Sequence, residues 1–167
     1  MFTYLFRSAL TLCFCLIFNA ATGQFYQLSD SLTAPHVDWE GDTAWMHFST
    51  DGLRSAATAA GSLEWRRKSR AALRGNWSLT MHMDFNPSTA NFCSFRFIES
   101  DRGYYAIQLS GSSGDDLSLL LHTPEKDSVL AAITGYVNRS AVAVDLRIER
   151  DSNYTFHVYD ADTLLFS

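Results

Sequence analysis

From Trp77 to Phe85 the chain alternates without a break. Trp77, Leu79, Met81, Met83 and Phe85 are large and apolar, and Ser78, Thr80, His82 and Asp84 between them are polar. Successive side chains of a strand point to opposite faces, so a period of two predicts a half-buried β-strand with one dry and one wet face. Burying each of the five apolar side chains is worth about 1.5–3 kcal/mol. A slip of one residue would turn all five into water, so the register is strongly specified. One dry and one wet face is the signature of an antiparallel sheet.

The same signal recurs along the chain, punctuated by turn residues. Trp45 to Phe48 is followed by the turn dipeptide Asp51-Gly52, and Ser62 to Trp65 reads as a short strand after Gly61. Phe92 to Ile98 follows Asn86-Pro87-Ser88 and sets Cys93, Phe95 and Phe97 on one face. Tyr105, Ile107 and Leu109 alternate before the loop Gly111 to Gly114, and Leu117, Leu119 and Leu121 alternate after it. Ala131 to Thr134 is a weaker run; Val142, Val144, Leu146 and Ile148 oppose Asp145, Arg147 and Glu149. Asn153 to Tyr159 reads as a strand, Asp160 to Asp162 as a turn and Thr163 to Phe166 as a last strand. Roughly nine or ten strands at this spacing argue for an all-β sandwich or barrel. Ala56 to Ala60 is too short a helical run to change that class.

The ends carry their own expectations. Arg7 followed by the apolar run Ala9 to Phe18 and the small residues Ala21-Thr22-Gly23 reads as an export signal, residues 1–23, cleaved before Gln24. The run is short for a membrane span, and a retained anchor is the rival reading. Cys13 and Cys15 lie inside that run, so Cys93 stands alone in the remaining domain, residues 24–167, which must rely on its core rather than on disulfides. With 13 Lys and Arg against 18 Asp and Glu, the chain carries a formal net charge of −5. That balance gives no overall attraction to nucleic acid, and no membrane insertion is expected after signal cleavage. The chain stops at Ser167 inside an apolar strand, which predicts a sandwich truncated at its C-terminus and belonging to a longer protein.

Several segments occur in one order: Trp77, Met83 to Ser88, Asn91-Phe92, Gly103 to Leu109, Asp115 to Leu120 and Asp145 to Asp151. In that order the chain resembles the N-terminal concanavalin A/laminin G-like sandwich of large secreted Bacteroidetes proteins that carry a lamin-tail domain. The resemblance spans residues 25 to 166. It implies an antiparallel two-sheet jelly roll, secreted or at the cell surface, whose last strands and downstream domains follow Ser167. Exported proteins of that phylum can be O-glycosylated at Asp-Ser/Thr before a small or aliphatic residue, which points to Ser31, Thr43, Ser128 and Thr163. Ordinary turn chemistry explains the same residues. Laminin G-like sandwiches can hold calcium on acidic loops, and Asp115 and Asp116 are the candidates here. Two adjacent Asp in a Gly/Ser loop equally describe a solvated turn, since calcium needs several further oxygen ligands. No other cofactor is expected.

Catalysis has little to stand on. Glycoside hydrolysis needs two carboxylates flanking the scissile bond. The nearest approach is Glu99-Ser100-Asp101, followed by Tyr105 and Ala106 where a third acid is wanted. No Gly-x-Ser-x-Gly occurs, and His36, His47, His82, His122 and His157 lack a zinc-like spacing. No catalytic residue is assigned. A sugar-binding surface would use outward aromatics, for which Trp39, Trp45, Trp65, Tyr104 and Tyr159 are the candidates, with Trp39, Tyr104 and Tyr159 foremost, although aromatics in sandwiches are commonly core. The basic run Arg66, Arg67 and Lys68, with Arg70 and Arg74, would grip an acidic polysaccharide or form a solvated loop that protects a strand edge. The expectation is a non-catalytic extracellular domain that contacts a polysaccharide or cell-surface glycan. A structural spacer and a divergent glycoside hydrolase are the alternatives.

Overall fold

A computed structural model of the chain describes residues 31–34, 39–42, 44–56, 61–67, 75–83, 86, 88–137 and 142–167. The expected export signal lies outside these residues, as do Thr43, Lys68, Arg70, Arg74, Asp84 and Phe85. The chain forms two compact units, Met1–Arg70 and Ala71–Ser167. All regular structure among the described residues is β, in twelve strands.

The first unit holds four short strands: β1 (Trp39–Gly41), β2 (Met46–Ser49), β3 (Gly52–Ser55) and β4 (Trp65–Arg67). Strands β2 and β3 make a hairpin around Thr50-Asp51, where Ser49 Oγ donates to Gly52 O and accepts from Asp51 N. Strands β1 and β4 pair antiparallel with Trp39 opposite Arg67. Trp65 packs against Trp39 and Phe48, with ring centroids 6.5 and 5.7 Å apart. Arg66 and Arg67 therefore belong to a strand and not to the loop that is the bland reading of their sequence. Their ladder partners are Glu40 and Trp39, so the short strand lies further along than the expected Ser62 to Trp65.

The second unit holds β5 (Gly75–Met83), β6 (Phe92–Ser100), β7 (Gly103–Ser110), β8 (Leu117–His122), β9 (Asp127–Ile133), β10 (Val142–Arg150), β11 (Phe156–Asp160) and β12 (Thr163–Phe166). They form two four-stranded antiparallel sheets, ordered β12-β11-β10-β5 and β6-β7-β8-β9. The chain leaves the first sheet after β5, meanders through the whole second sheet, and returns to lay β10 against β5. Trp77 then faces Ile148 across the ladder, and Met83 faces Val142. At the flanks, β5 lies near β6 and β12 near β9. This is an all-β, two-sheet arrangement of the β-sandwich kind.

The inward rows meet in one core. Met81, Met83, Val142, Val144, Leu146, Ile148, Phe156 and Val158 come from one sheet, and Phe97, Ile107, Leu109, Leu117 and Leu119 from the other. Trp77 and Leu79 pack against this cluster while half-buried. The alternation of β5 and β10 is thus observed as predicted, with Ser78, Thr80, Ala143 and Asp145 outward. Phe97 joins the sheets: its ring lies 5.1 Å from that of Trp77 and meets Phe156 edge-on at 5.8 Å. Arg150 continues the inward row of β10 and closes one end of the core. Its guanidinium lies 4.9 Å from Phe156 and 5.3 Å from Tyr105.

In the second unit, two strand starts differ most from the sequence reading. Strand β9 begins at Asp127 rather than Ala131, because the ladder with β8 absorbs an extra residue at Leu130 and continues. Strand β11 begins at Phe156 rather than Asn153. The Asp151 carboxylate accepts the N–H groups of Asn153 and Thr155 at 2.8 and 2.9 Å, and Tyr154 turns to φ +64°, which folds the segment into a side-chain-capped turn. The Thr155 amide is the main reason the Asp151 carboxyl is held below the ordinary Asp range; Asn153 and His157 add to it, and residual desolvation opposes them.

Cys93 lies in the inward row of β6, half-buried, and burial pushes its thiol above the ordinary cysteine value. A thiol in such surroundings is inert, because the reactive thiolate is disfavoured. Cys93 is therefore expected to react with a soluble thiol reagent at neutral pH at least about tenfold more slowly in the folded chain than in denaturant. Peptide-resolved mass spectrometry of the labelled protein reads the rate at this position, and equal rates in the two states would contradict its placement.

Candidate functional site

The outward face of the β6–β9 sheet carries one row of polar and aromatic side chains crossing all four strands. On β7 and β8, Tyr104 stands directly opposite His122, and on β8 and β9, His122 stands directly opposite Asp127. Arg96 of β6 is paired with Ala106 and therefore lies diagonal to Tyr104, within reach of a long side chain. The Arg96 guanidinium sits 4.6 Å from the Tyr104 ring centroid, and the imidazole of His122 stacks on Tyr104 at 4.6 Å with 18° between planes. His122 Nδ1 is hydrogen-bonded to Asp127 Oδ1. The order across the sheet is guanidinium, phenol, imidazole, carboxylate.

Each element places its residue for a local reason. Arg96, Tyr104 and His122 are the outward neighbours of the apolar rows Phe95-Phe97, Tyr105-Ile107-Leu109 and Leu117-Leu119-Leu121, so burying those rows points them to solvent. Gly103 closes the end of the ladder where Tyr104 and His122 meet. At its φ of +130° it approaches β8 so closely that a Cβ would lie 1.9 Å from His122 O. Between Ser100 and Gly103 the Ser100 hydroxyl donates to Gly103 O and accepts from Arg102 N. Asp101 and Arg102 thus form the β6–β7 turn, and Glu99 and Asp101 are exposed there.

The row is accessible. The side chains of His122 and Asp127 are 42% and 73% exposed, and Arg96 is exposed. Strand order puts Arg96 on one side of Tyr104 and His122 on the other, so the phenol offers its edge and hydroxyl rather than an open ring face. The arrangement can donate hydrogen bonds from the guanidinium and phenol, accept them at Asp127, and do either through His122.

The other candidates lie apart from this row. Tyr159 is on the outward face of the other sheet, with the Arg147 guanidinium 3.9 Å over its ring and Arg147 in turn paired with Glu149. Trp39 is in the first unit, stacked on Trp65, with Arg67 5.9 Å over it. Arg66 faces Glu40 at 3.8 Å, and Lys68, Arg70 and Arg74 lie outside the described residues. Ser31 is exposed with its hydroxyl 2.9 Å from that of Thr33, Thr163 is exposed at the start of β12, and Ser128 is half-buried within β9. Thr43 lies outside the described residues.

The calcium candidates Asp115 and Asp116 lie in a loop whose backbone is tied to neighbouring segments. The carbonyls of Gly114, Asp115 and Asp116 accept the N–H groups of Gly135, Val137 and Ser110. Asp116 Oδ1 is buried and has no hydrogen-bond partner among the described residues. Among the described residues no group of three or more His, Cys, Asp or Glu comes together, whereas calcium needs six to eight oxygens.

Sequence reasoning singled out Tyr104 but not Arg96, His122 and Asp127 as its neighbours. The signal for one of them was present: if the strands flanking Gly111 to Gly114 form a hairpin with Leu109 opposite Leu117, then Tyr104 must face His122. The extra residue at Leu130 hides the equivalent count for Asp127. No family model matches the chain, nor does any curated protein or solved structure.

Proposed function

We propose that this chain is a non-catalytic, exported domain of a longer secreted or cell-surface protein that contacts carbohydrate through the outward face of the β6–β9 sheet. A jelly-roll connection of the concanavalin A/laminin G-like type belongs to the same reading. The pair of four-stranded antiparallel sheets around one core supports it. The observation that carries the carbohydrate reading is the outward-facing Arg96–Tyr104–His122–Asp127 row, exposed at Arg96 and Asp127 and half-buried at Tyr104 and His122. Saccharide hydroxyls are both donors and acceptors, and a rigid sheet face presenting both at fixed spacing is a surface they can bind. Export rests on the Arg7, Ala9–Phe18 and Ala21–Gly23 pattern.

A spacer that binds nothing is the second reading. One observation favours it: Tyr104, Tyr159 and Trp39 each carry a guanidinium over the ring, as residues that merely brace a surface would. A glycan array probed with the full chain separates the two. Binding to at least one plant, algal or host glycan, reduced at least about tenfold by Tyr104→Ala at unchanged thermal midpoint, is the expected result. Binding lost with Trp39→Ala but kept with Tyr104→Ala would move the site to the first unit. Silence on every glycan would leave the spacer.

A further inference from the structure

Strand β9 is an open edge of the β6–β9 sheet, and its exposed side chains are mostly apolar. Val129 is 64% and Leu130 48% exposed, and Leu164, on the neighbouring β12, is 51% exposed. Half of the six large apolar side chains exposed among the described residues thus lie at this one flank. The backbone is open there as well. Across the β8–β9 turn, Thr123 N donates to Lys126 O at 2.9 Å. Bonded and non-bonded pairs alternate along an antiparallel ladder. Asp127 and Val129, opposite His122 and Leu120, therefore direct their N–H and C=O groups away from β8. The other edges are better guarded. Strand β6 carries Arg96 and Glu99, β5 turns Asn76, Ser78, Thr80 and His82 outward, and β12 is four residues long. In β9, Ser128 to Ile133 holds no charge and no proline. The extra residue at Leu130 twists this edge, but it adds an exposed apolar side chain and no charge.

We infer that two copies of this chain associate through β9, laid antiparallel across a twofold axis so that their β6–β9 sheets become one. The distribution of charge selects a second copy in this orientation. With Ser128–Ile133 laid antiparallel on itself, the two Asp127 carboxylates fall at opposite ends. They are then roughly 24 Å apart along the strand, well beyond the screening length of physiological salt. A parallel pairing in register would set them side by side, about 5 Å apart. The edge is thus complementary to itself, and backbone groups supply the bonds while Val129 and Leu130 are covered. A twofold contact of this kind closes on itself and leaves no free β9 edge. It is smaller than a standard protein interface, so the expected Kd is on the order of 10 µM. The inference is independent of the carbohydrate reading, because Tyr104 and His122 stand on the inner strands β7 and β8.

Sedimentation velocity of the full chain between about 1 and 300 µM tests it, with hydrogen exchange at the Val129 amide read in parallel by residue-resolved mass spectrometry. The sedimentation coefficient is expected to rise from monomer to dimer and stop there. Exchange at Val129 should slow at least about fivefold over the same range. Val129→Lys and Leu130→Lys, both at exposed positions, should each weaken association at least about tenfold at unchanged thermal midpoint. Phe92→Lys, at the exposed start of β6, should leave association unchanged. A monomer throughout, with fast exchange at Val129, would overturn the inference. So would a monomer already protected at Val129, since another segment of the chain would then cover β9. Association that survives both β9 variants, that is lost with Phe92→Lys, or that grows past the dimer would overturn it too.

Discussion

Phe97→Ala is expected to destabilise the second unit by about 3–5 kcal/mol. Phe97 is 4% exposed and touches both sheets: Phe95 and Tyr105 on its own, Trp77 and Phe156 on the other. Truncation removes the transfer energy of a whole ring and leaves a cavity where the sheets meet. It also removes aromatic pairings worth about 0.5–1.5 kcal/mol each beyond their buried area. The neighbours cannot close over the gap easily, because each sits on a strand whose register is held by its own ladder. Urea unfolding followed by tryptophan fluorescence reads the change. Phe92→Ala, at a half-exposed end of the same strand, is expected to cost less than about 1 kcal/mol. Similar losses at the two positions would mean that Phe97 is not the hinge between the layers.

Gly103→Ala is expected to cost about 3–5 kcal/mol and to abolish ligand binding together with the Tyr104–His122 stack. Two effects add. The backbone at φ +130° is one that L side chains rarely adopt, and the new Cβ would lie 1.9 Å from the backbone oxygen of His122. A backbone atom of a paired strand cannot swing away as a side-chain tip can. The end of the β7–β8 ladder must open, and Tyr104 and His122 separate with it. Gly61→Ala, where nothing lies within 4 Å, serves as the comparison and is expected to stay within about 0.5 kcal/mol of the parent. A fully stable Gly103→Ala protein would contradict the close approach of the two strands.

These expectations show which parts of the molecule the sequence could disclose. Period-two alternation located β5 and β10 and assigned their faces, since Trp77 to Met83 and Val142 to Ile148 bury one row each. It failed where burial does not alternate. Val129 and Leu130 are both exposed around the extra residue of β9, so the start of that strand was invisible. Asn153 to Thr155 look like strand residues until the Asp151 side chain captures their amides. Arg66 and Arg67 look like a loop because two charges in succession carry no period, yet they pair with β1. The candidate site was harder still. Alternation says which face a residue takes but not which residue stands beside it on the next strand. That depends on register, which the Gly111–Gly114 hairpin discloses for His122 and the irregularity at Leu130 conceals for Asp127.

The claim on which the rest depends is that strands β5 to β12 form two sheets closed on a single interior, because only that burial turns Arg96, Tyr104, His122 and Asp127 outward together. Nuclear Overhauser spectroscopy on the full chain, with labelled aromatic side chains, tests it directly. Cross-peaks are predicted from the Phe97 ring to both Trp77 and Phe156, at centroid separations of 5.1 and 5.8 Å, and from Tyr104 to His122 at 4.6 Å. Their absence, with cross-peaks confined to neighbours within each sheet, would contradict the account.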